Sequence, residues 1–190
     1  GAAGSGVGFV LPSTGKVERR MEINSPLATV FVVLNSFKRF KDWSPWKKYD
    51  PTAVNTFSGA ESGVGAKMAW TSAETGDGSQ EIIESQPYSQ ISIKLTFGGF
   101  ENDAYRADYL LKPVGANATQ LTWSFHAQYS NMLGRYFGLL AAKMIGGDYE
   151  EGLSSLKALV ETKPTADCPN PAATMAGVRR QTNAHVTAET

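Results

Sequence analysis

The chain has a single cysteine, Cys168, among 190 residues. No intramolecular disulfide can form, and a cysteine-rich metal site is excluded. Histidine is scarce too: His126 and His185 stand far apart without ligand spacing, so no zinc site is expected. Neither sign of charge is in excess. Basic and acidic residues number 18 each, for a formal net charge of zero, whereas nucleic-acid binders usually carry a basic surplus. Apolar runs are short, and none reaches the roughly eighteen residues of a membrane span. Nucleotide-binding and nucleophile-elbow motifs are missing, and "GVGFV" near the start lacks the strand-turn-helix setting of a dinucleotide site. The expectation is therefore no metal, no cofactor, no catalytic residue that can be named, and no nucleic-acid partner.

What is present suits one domain with a sizeable core: 42% of residues are hydrophobic. Residues 1–15 are small and glycine-rich. They read as a flexible leader or as the stub of a removed anchor or signal segment. The compartment therefore stays open between the cytoplasm and a membrane-anchored or periplasmic setting, and membrane association would come through such an anchor. Residues 16–163 form the predicted domain. Residues 164–190 have no aromatic residue and little periodicity, and they read as a mobile tail. Nothing fixes the oligomeric state.

Within the domain the hydrophobic period changes three times. "KVERRMEI" alternates and predicts a strand. "NSPLATVFVVLNSF" then predicts a helix, with Ser25 as cap and Pro26 in its first turn. A second short helix, about 37–43, should end at Trp43-Ser44-Pro45-Trp46, because Pro45 disfavours a helical Ser44. Six stretches follow with strand character and short turns, "QISIKLTF", "DAYRADYLLKP" and "TQLTWSFHAQY" being the clearest. From about 132 to 162 the period becomes helical. Leu133, Phe137, Leu140 and Met144 make one stripe, and Tyr149, Leu153, Leu156 and Val160 make another. Gly146-Gly147 between them permits a kink.

An antiparallel sheet must cover its apolar face, and only the last helix is long enough to do so. The expected fold class is α+β: a curved antiparallel sheet of about seven strands wrapped around a long C-terminal helix, with two short helices after the first strand. On this register Met68, Trp70, Tyr105, Tyr109, Trp123 and Phe125 project toward the helix. Such a set is either packed core or the lining of a cavity. Trp43 and Trp46 would close one end of the groove, as a plug or as a gate. His126 shares its face with Ser124 and Gln128 and is expected on the solvent side. Arg19 falls on the Val17–Met21–Ile23 face and needs a carboxylate partner, and Glu84 is another candidate for buried polarity.

The words "VERRMEINSPLATVFVVLNSFKRFKDWSPW", "GAESGVGAKMAW", "IIESQPYSQISIKLTF" and "GGDYEEGLSSLKALVE" resemble the START-like superfamily, also called SRPBCC or helix-grip. The likeness covers roughly residues 16–162 and is greatest to bacterial polyketide cyclase/dehydrase-like members. It implies a deep apolar cavity between sheet and helix, used for lipids, sterols, hormones or polyketides. Some members carry an N-terminal anchor that ends in Leu-Pro, like Leu11-Pro12 here. The expected function is non-covalent binding, or transport, of a hydrophobic small molecule. The contact residues expected are Trp43, Trp46, Met68, Trp70, Tyr105, Tyr109, Trp123, Phe125, Phe137, Leu140 and Met144. The alternatives are a cyclase or dehydratase, and a protein-interaction domain with a closed core.

Overall fold

A computed structural model describes residues 11–162. Strand β1 (Thr14–Ile23) leads into α1 (Leu27–Leu34), a 3-10 turn (Phe37–Arg39), α2 (Phe40–Trp43) and a second 3-10 turn (Pro45–Lys48). Six strands follow: β2 (Val54–Gly59), β3 (Ala66–Thr71), β4 (Gly78–Gln86), β5 (Gln90–Phe97), β6 (Ala104–Val114) and β7 (Ala118–Gln128). Helix α3 (Met132–Thr162) ends the described chain. The seven strands form one antiparallel curved sheet in the order β1-β7-β6-β5-β4-β3-β2. The expected architecture is therefore the observed one, with β1 beginning two residues earlier than the predicted domain edge. Most of the predicted leader, and the predicted tail, lie outside the described residues.

Period-two alternation sets which side chains meet the helix. Cross-strand pairing brings Ile91, Tyr109 and Trp123 into one row, with Arg19 beyond Trp123 on β1. Ile93, Ala107 and Phe125 form the next row. Helix α1 buries Val30, Phe31, Val33 and Leu34, and α3 buries Tyr149, Leu153, Leu156 and Val160.

One local expectation is corrected. Ser25 does not cap α1: Pro26 occupies the cap position, and buried Ser25 offers its carbonyl to Thr119 Oγ1 at 2.9 Å. The expected helix end at the Trp-Ser-Pro-Trp segment is observed: α2 stops at Trp43, and a 3-10 turn starts at Pro45, where Ser44 Oγ accepts from the Trp46 amide at 3.4 Å. Helix α3 is continuous through Gly146-Gly147. Gly146 is buried there, and a Cβ on it would lie 2.4 Å from an Arg19 guanidinium nitrogen. The first of these two glycines thus serves close approach of helix to strand.

Candidate functional site

The aromatic side chains on the helix-facing side of the sheet divide into a packed group, called here the filled end, and a half-buried row, called here the open end. The filled end is built on the Trp123 and Tyr149 rings, stacked with centroids 3.7 Å apart. The Trp-Ser-Pro-Trp segment covers this pair. Trp43 meets Trp123 edge-on at 5.5 Å and Tyr109 at 6.3 Å. Trp46 meets Trp123 at 5.8 Å and Tyr149 at 6.3 Å, and it stacks on Phe40 at 5.9 Å. Aromatic rings prefer such edge and offset contacts at these separations. The two tryptophans thus sit as a plug.

Polar groups tie the plug down. Tyr49 donates its hydroxyl to Asp148 on α3 at 2.8 Å, and Lys48 pairs with Asp148 at 3.0 Å and with Glu151. Asp50, buried at the end of this segment, accepts from the Ser72 and Thr52 hydroxyls, each at 2.6 Å. Those bonds, the Ser72 one foremost, hold its carboxyl below the usual carboxylate range. Inside the plug the indole N–H of Trp43 is buried without a hydrogen-bond partner. Buried donors are nearly always paired, so this one is an anomaly of the filled end. Burial pushes the Tyr109 and Tyr149 phenols above their ordinary pKa, and neighbouring Tyr109 raises Tyr149 further.

The open end is a half-buried aromatic row. Trp70 lies edge-on to Phe97 at 5.9 Å, Phe97 to Tyr105 at 5.0 Å, and Tyr105 to Tyr129 at 6.4 Å. Tyr105 also stacks on buried Phe125 at 5.9 Å. Gly78 makes the row possible: a Cβ there would fall 2.1 Å from the Trp70 ring, so only glycine lets the indole lie across β4. Gly138 does the same for α3, since its Cβ would fall 2.2 Å from the Tyr129 ring.

At the row's edge the Tyr105 hydroxyl donates to Asp103 at 3.0 Å. Burial pushes the Asp103 carboxyl up, but bonds from the Ser130 hydroxyl and amide and from Tyr105 outweigh it, leaving a lowered pKa. Burial first, then the Asp103 bond, raises the Tyr105 phenol well above its ordinary value.

The expected contact residues therefore separate. Trp43, Trp46, Tyr109 and Trp123 meet at the filled end. Trp70, Tyr105 and Phe125 meet at the open end. Met68 is buried on β3, its sulfur accepting from Gln80 Nε2 at 3.8 Å. Leu140 and Met144 are exposed on α3 and do not close over the aromatics. Phe137 lies in the same stretch, its side chain outside the described residues. Phe97 and Tyr129 belong to the row although sequence reasoning left them off the contact set. Phe97 continues the Ile91–Ile93–Leu95 alternation, and Tyr129 continues Trp123–Phe125–Ala127, so parity alone would have found both.

The polar candidates resolve as structural contacts. Arg19 pairs with Glu150 of α3 at 2.6 Å and remains half-buried. Glu84 accepts from Gln86 and Ser92. Partly exposed His126 faces Asp108 at 3.4 Å, and Asp108 also takes Ser92 at 2.6 Å and Arg106 at 2.9 Å. A separate shallow groove of about 190 Å³ runs along the β2 edge, between Phe37, Lys38, Phe57 and Lys67. Among the described residues no cluster of three or more His, Cys, Asp or Glu is arranged to hold a metal.

Comparison with known proteins supplies the remaining findings. The family model described as "Polyketide cyclase / dehydrase and lipid transport" matches residues 14–161. No curated protein matches the sequence. Solved structures do match in fold. A truncated norcoclaurine synthase from Thalictrum flavum superposes with a TM-score of 0.59 at 11% identity, over 77% of this chain and 93% of that one. The Aha1 dimer from Colwellia psychrerythraea gives 0.55 at 16%, over 77% and 96%. A protein from Chromobacterium violaceum gives 0.52 at 18%, over 79% and 98%.

Proposed function

Since the chain belongs to the polyketide cyclase / dehydrase and lipid transport family, within the START-like (SRPBCC) superfamily, we propose that it binds a hydrophobic small molecule in the open half of its groove. The observation that carries this reading is the half-buried row Trp70–Phe97–Tyr105–Tyr129. Four large rings aligned on one sheet face and left partly uncovered favour a flat or chain-like apolar ligand laid across them. Met68 and Phe125 back the row. The filled end extends the site: displacement of Trp46 would admit a ligand as far as Trp43, Tyr109 and Trp123. The unpartnered indole N–H of Trp43 would then take an oxygen acceptor. Ligand-bearing structures of similar fold point the same way, for a Thalictrum flavum norcoclaurine synthase is described in complex with dopamine and hydroxybenzaldehyde.

Binding is favoured over catalysis at this site. The Tyr105 hydroxyl bordering the row is engaged as a donor to Asp103, which supports its reading as a fixed polar contact of a binding surface. The test is titration of the protein with an apolar fluorophore, followed by tryptophan quenching. Saturable binding is expected, weakened strongly by Trp70→Ala. Trp43→Phe, which keeps a ring but removes the indole N–H, should discriminate only against ligands with an oxygen acceptor. Absence of saturable binding, or binding indifferent to Trp70→Ala, overturns the proposal and favours a closed interaction domain.

A further inference from the structure

The sheet has two edges, and the fold treats them differently. On β1 the Tyr129 amide bonds the Ser13 carbonyl, and pairing with β7 repeats at every second residue, so the even residues turn their peptide groups outward. Three of the outward groups at this edge are taken by side chains. Arg19 donates to the Glu18 carbonyl, Lys157 of α3 donates to that of Glu22, and the Asn24 amide donates to Glu161. Five of the ten residues of β1 are also charged. Strand β2, at the other end of the sheet, has no such protection. Natural sheets blunt a free edge with charge, proline or a bulge. Residues 52–60 hold no charge and no proline, and the register of β2 with β3 is unbroken. All six residues of β2 are exposed, Val54 at 62% and Phe57 at 49%.

The geometry of this edge selects its partner. The Ala60 amide bonds the Gly65 carbonyl, so the even residues of β2 bond β3, and Asn55 and Phe57 turn their peptide groups outward. Among the described residues no bond reaches those groups. A row of main-chain donors and acceptors is matched by the backbone of another extended segment. The row is also self-complementary. Gly59, with φ of +72°, ends the regular stretch, which leaves Val54 to Ser58 centred on Thr56. A second copy laid antiparallel across a two-fold axis at Thr56 sets Asn55 opposite Phe57 of the second copy, and Phe57 opposite its Asn55. The outward groups of both residues are then bonded in both copies. No like charges meet across the axis, because the strand carries none. The two Phe57 rings, each walling the shallow groove beside Phe37, become diagonal neighbours within reach of one another. A foreign strand would find no charge on β2 to select it.

We propose that β2 pairs with β2 of a second copy, joining two seven-stranded sheets edge to edge. No residue of this edge belongs to the aromatic row, so association and dye binding are read independently. The test is sedimentation equilibrium of the full chain from micromolar to near-millimolar concentration, where a concentration-dependent dimer is expected. Asn55→Pro deletes one outward N–H and spares the β2–β3 bonds. Symmetry deletes that bond twice, so dimerisation should weaken at least about tenfold while the fold is kept. Thr56→Lys and Thr56→Glu each set like charges against one another on the axis, and each should be monomeric. An equimolar mixture of the two should recover the dimer, because the facing charges are then opposite. If a variant melts early, amide hydrogen exchange of the wild type decides: the Asn55 and Phe57 amides should gain protection as concentration rises. A chain that is monomeric throughout overturns the proposal. So does a dimer that survives Asn55→Pro and both Thr56 substitutions, which would place the contact on another face such as α3. A mixture that fails to associate, or outward amides that exchange equally at every concentration, overturns it as well.

Discussion

Replacing Gly152 with alanine opposes two effects of known size. In a helix interior, Gly→Ala gains about 0.8 to 1.0 kcal/mol of propensity. The new Cβ, however, would lie 2.9 Å from Trp123 Cζ3 and 3.1 Å from Pro45 Cδ. Carbon atoms prefer about 3.5 to 4.0 Å, so one of these groups must yield. Trp123 cannot do so freely: Tyr149 stacks on it at 3.7 Å, and Trp43 and Trp46 abut it at 5.5 and 5.8 Å. Overpacking of this kind costs about 1 to 3 kcal/mol. Subtracting the propensity gain leaves a net loss of roughly 1 kcal/mol, with an upper end near 2 kcal/mol. For a chain of this size that is a fall in melting temperature of about 2 to 8 °C. Gly147→Ala is the control. It is exposed, and a Cβ there meets nothing within 4 Å, so it should stabilise by about 1 kcal/mol. Thermal and urea unfolding of both variants reads the difference. If Gly152→Ala proves as stable as Gly147→Ala, the Trp-Ser-Pro-Trp plug is not packed rigidly on Trp123, and the filled end of the groove yields to a methyl group.

Asp50 makes a prediction about pH. Its carboxyl titrates below the ordinary value in the folded state because the Ser72 hydroxyl, then Thr52, bonds the charged form. That stability is fully present above the unfolded carboxylate pKa and is lost as pH falls through the lower folded value. Asp50→Asn should therefore destabilise at neutral pH, with the gap to wild type closing in acid; a gap in urea midpoint that stays constant with pH would refute the linkage. Tyr105→Phe deletes the bond to Asp103 and should lower stability by about 0.5 to 1.5 kcal/mol while keeping the aromatic row, a separation that parallel melting and dye titrations would show. His126→Ala removes one contact from Asp108, which retains Ser92 and Arg106. Its effect on stability should stay within about 0.5 kcal/mol, and dye binding should be unchanged, because the imidazole is on the far side of the sheet from the row.

Parity and period made most of the architecture legible. The inward set Trp70, Tyr105, Tyr109, Trp123 and Phe125 follows from strict alternation, and His126 on the opposite face follows from the same count. Arg19 announced its need for a carboxylate, though not that Glu150 on α3 would supply it, since that pairing spans the length of the chain. Helix α3 shows the limit. Its two apolar stripes looked equivalent in sequence, both with helical spacing, yet Tyr149, Leu153 and Leu156 are buried while Leu133, Leu140 and Met144 are exposed.

What the sequence by itself determined is therefore the order of elements, the faces of each strand, and the presence of one long covering helix, because these depend on local periodicity. Tertiary structure alone decided how the helix-facing aromatics are divided between packed and half-buried. Whether Trp43 and Trp46 fill space or leave it depends on where α2 and the turn after Pro45 land on the Trp123–Tyr149 stack. Which stripe of α3 is covered depends on the angle at which Gly138 and Gly146 let the helix approach Tyr129 and Arg19. Both are contacts between residues distant in sequence, and hydrophobic burial has no direction of its own, so only packing of the whole chain selects among apolar faces of equal merit.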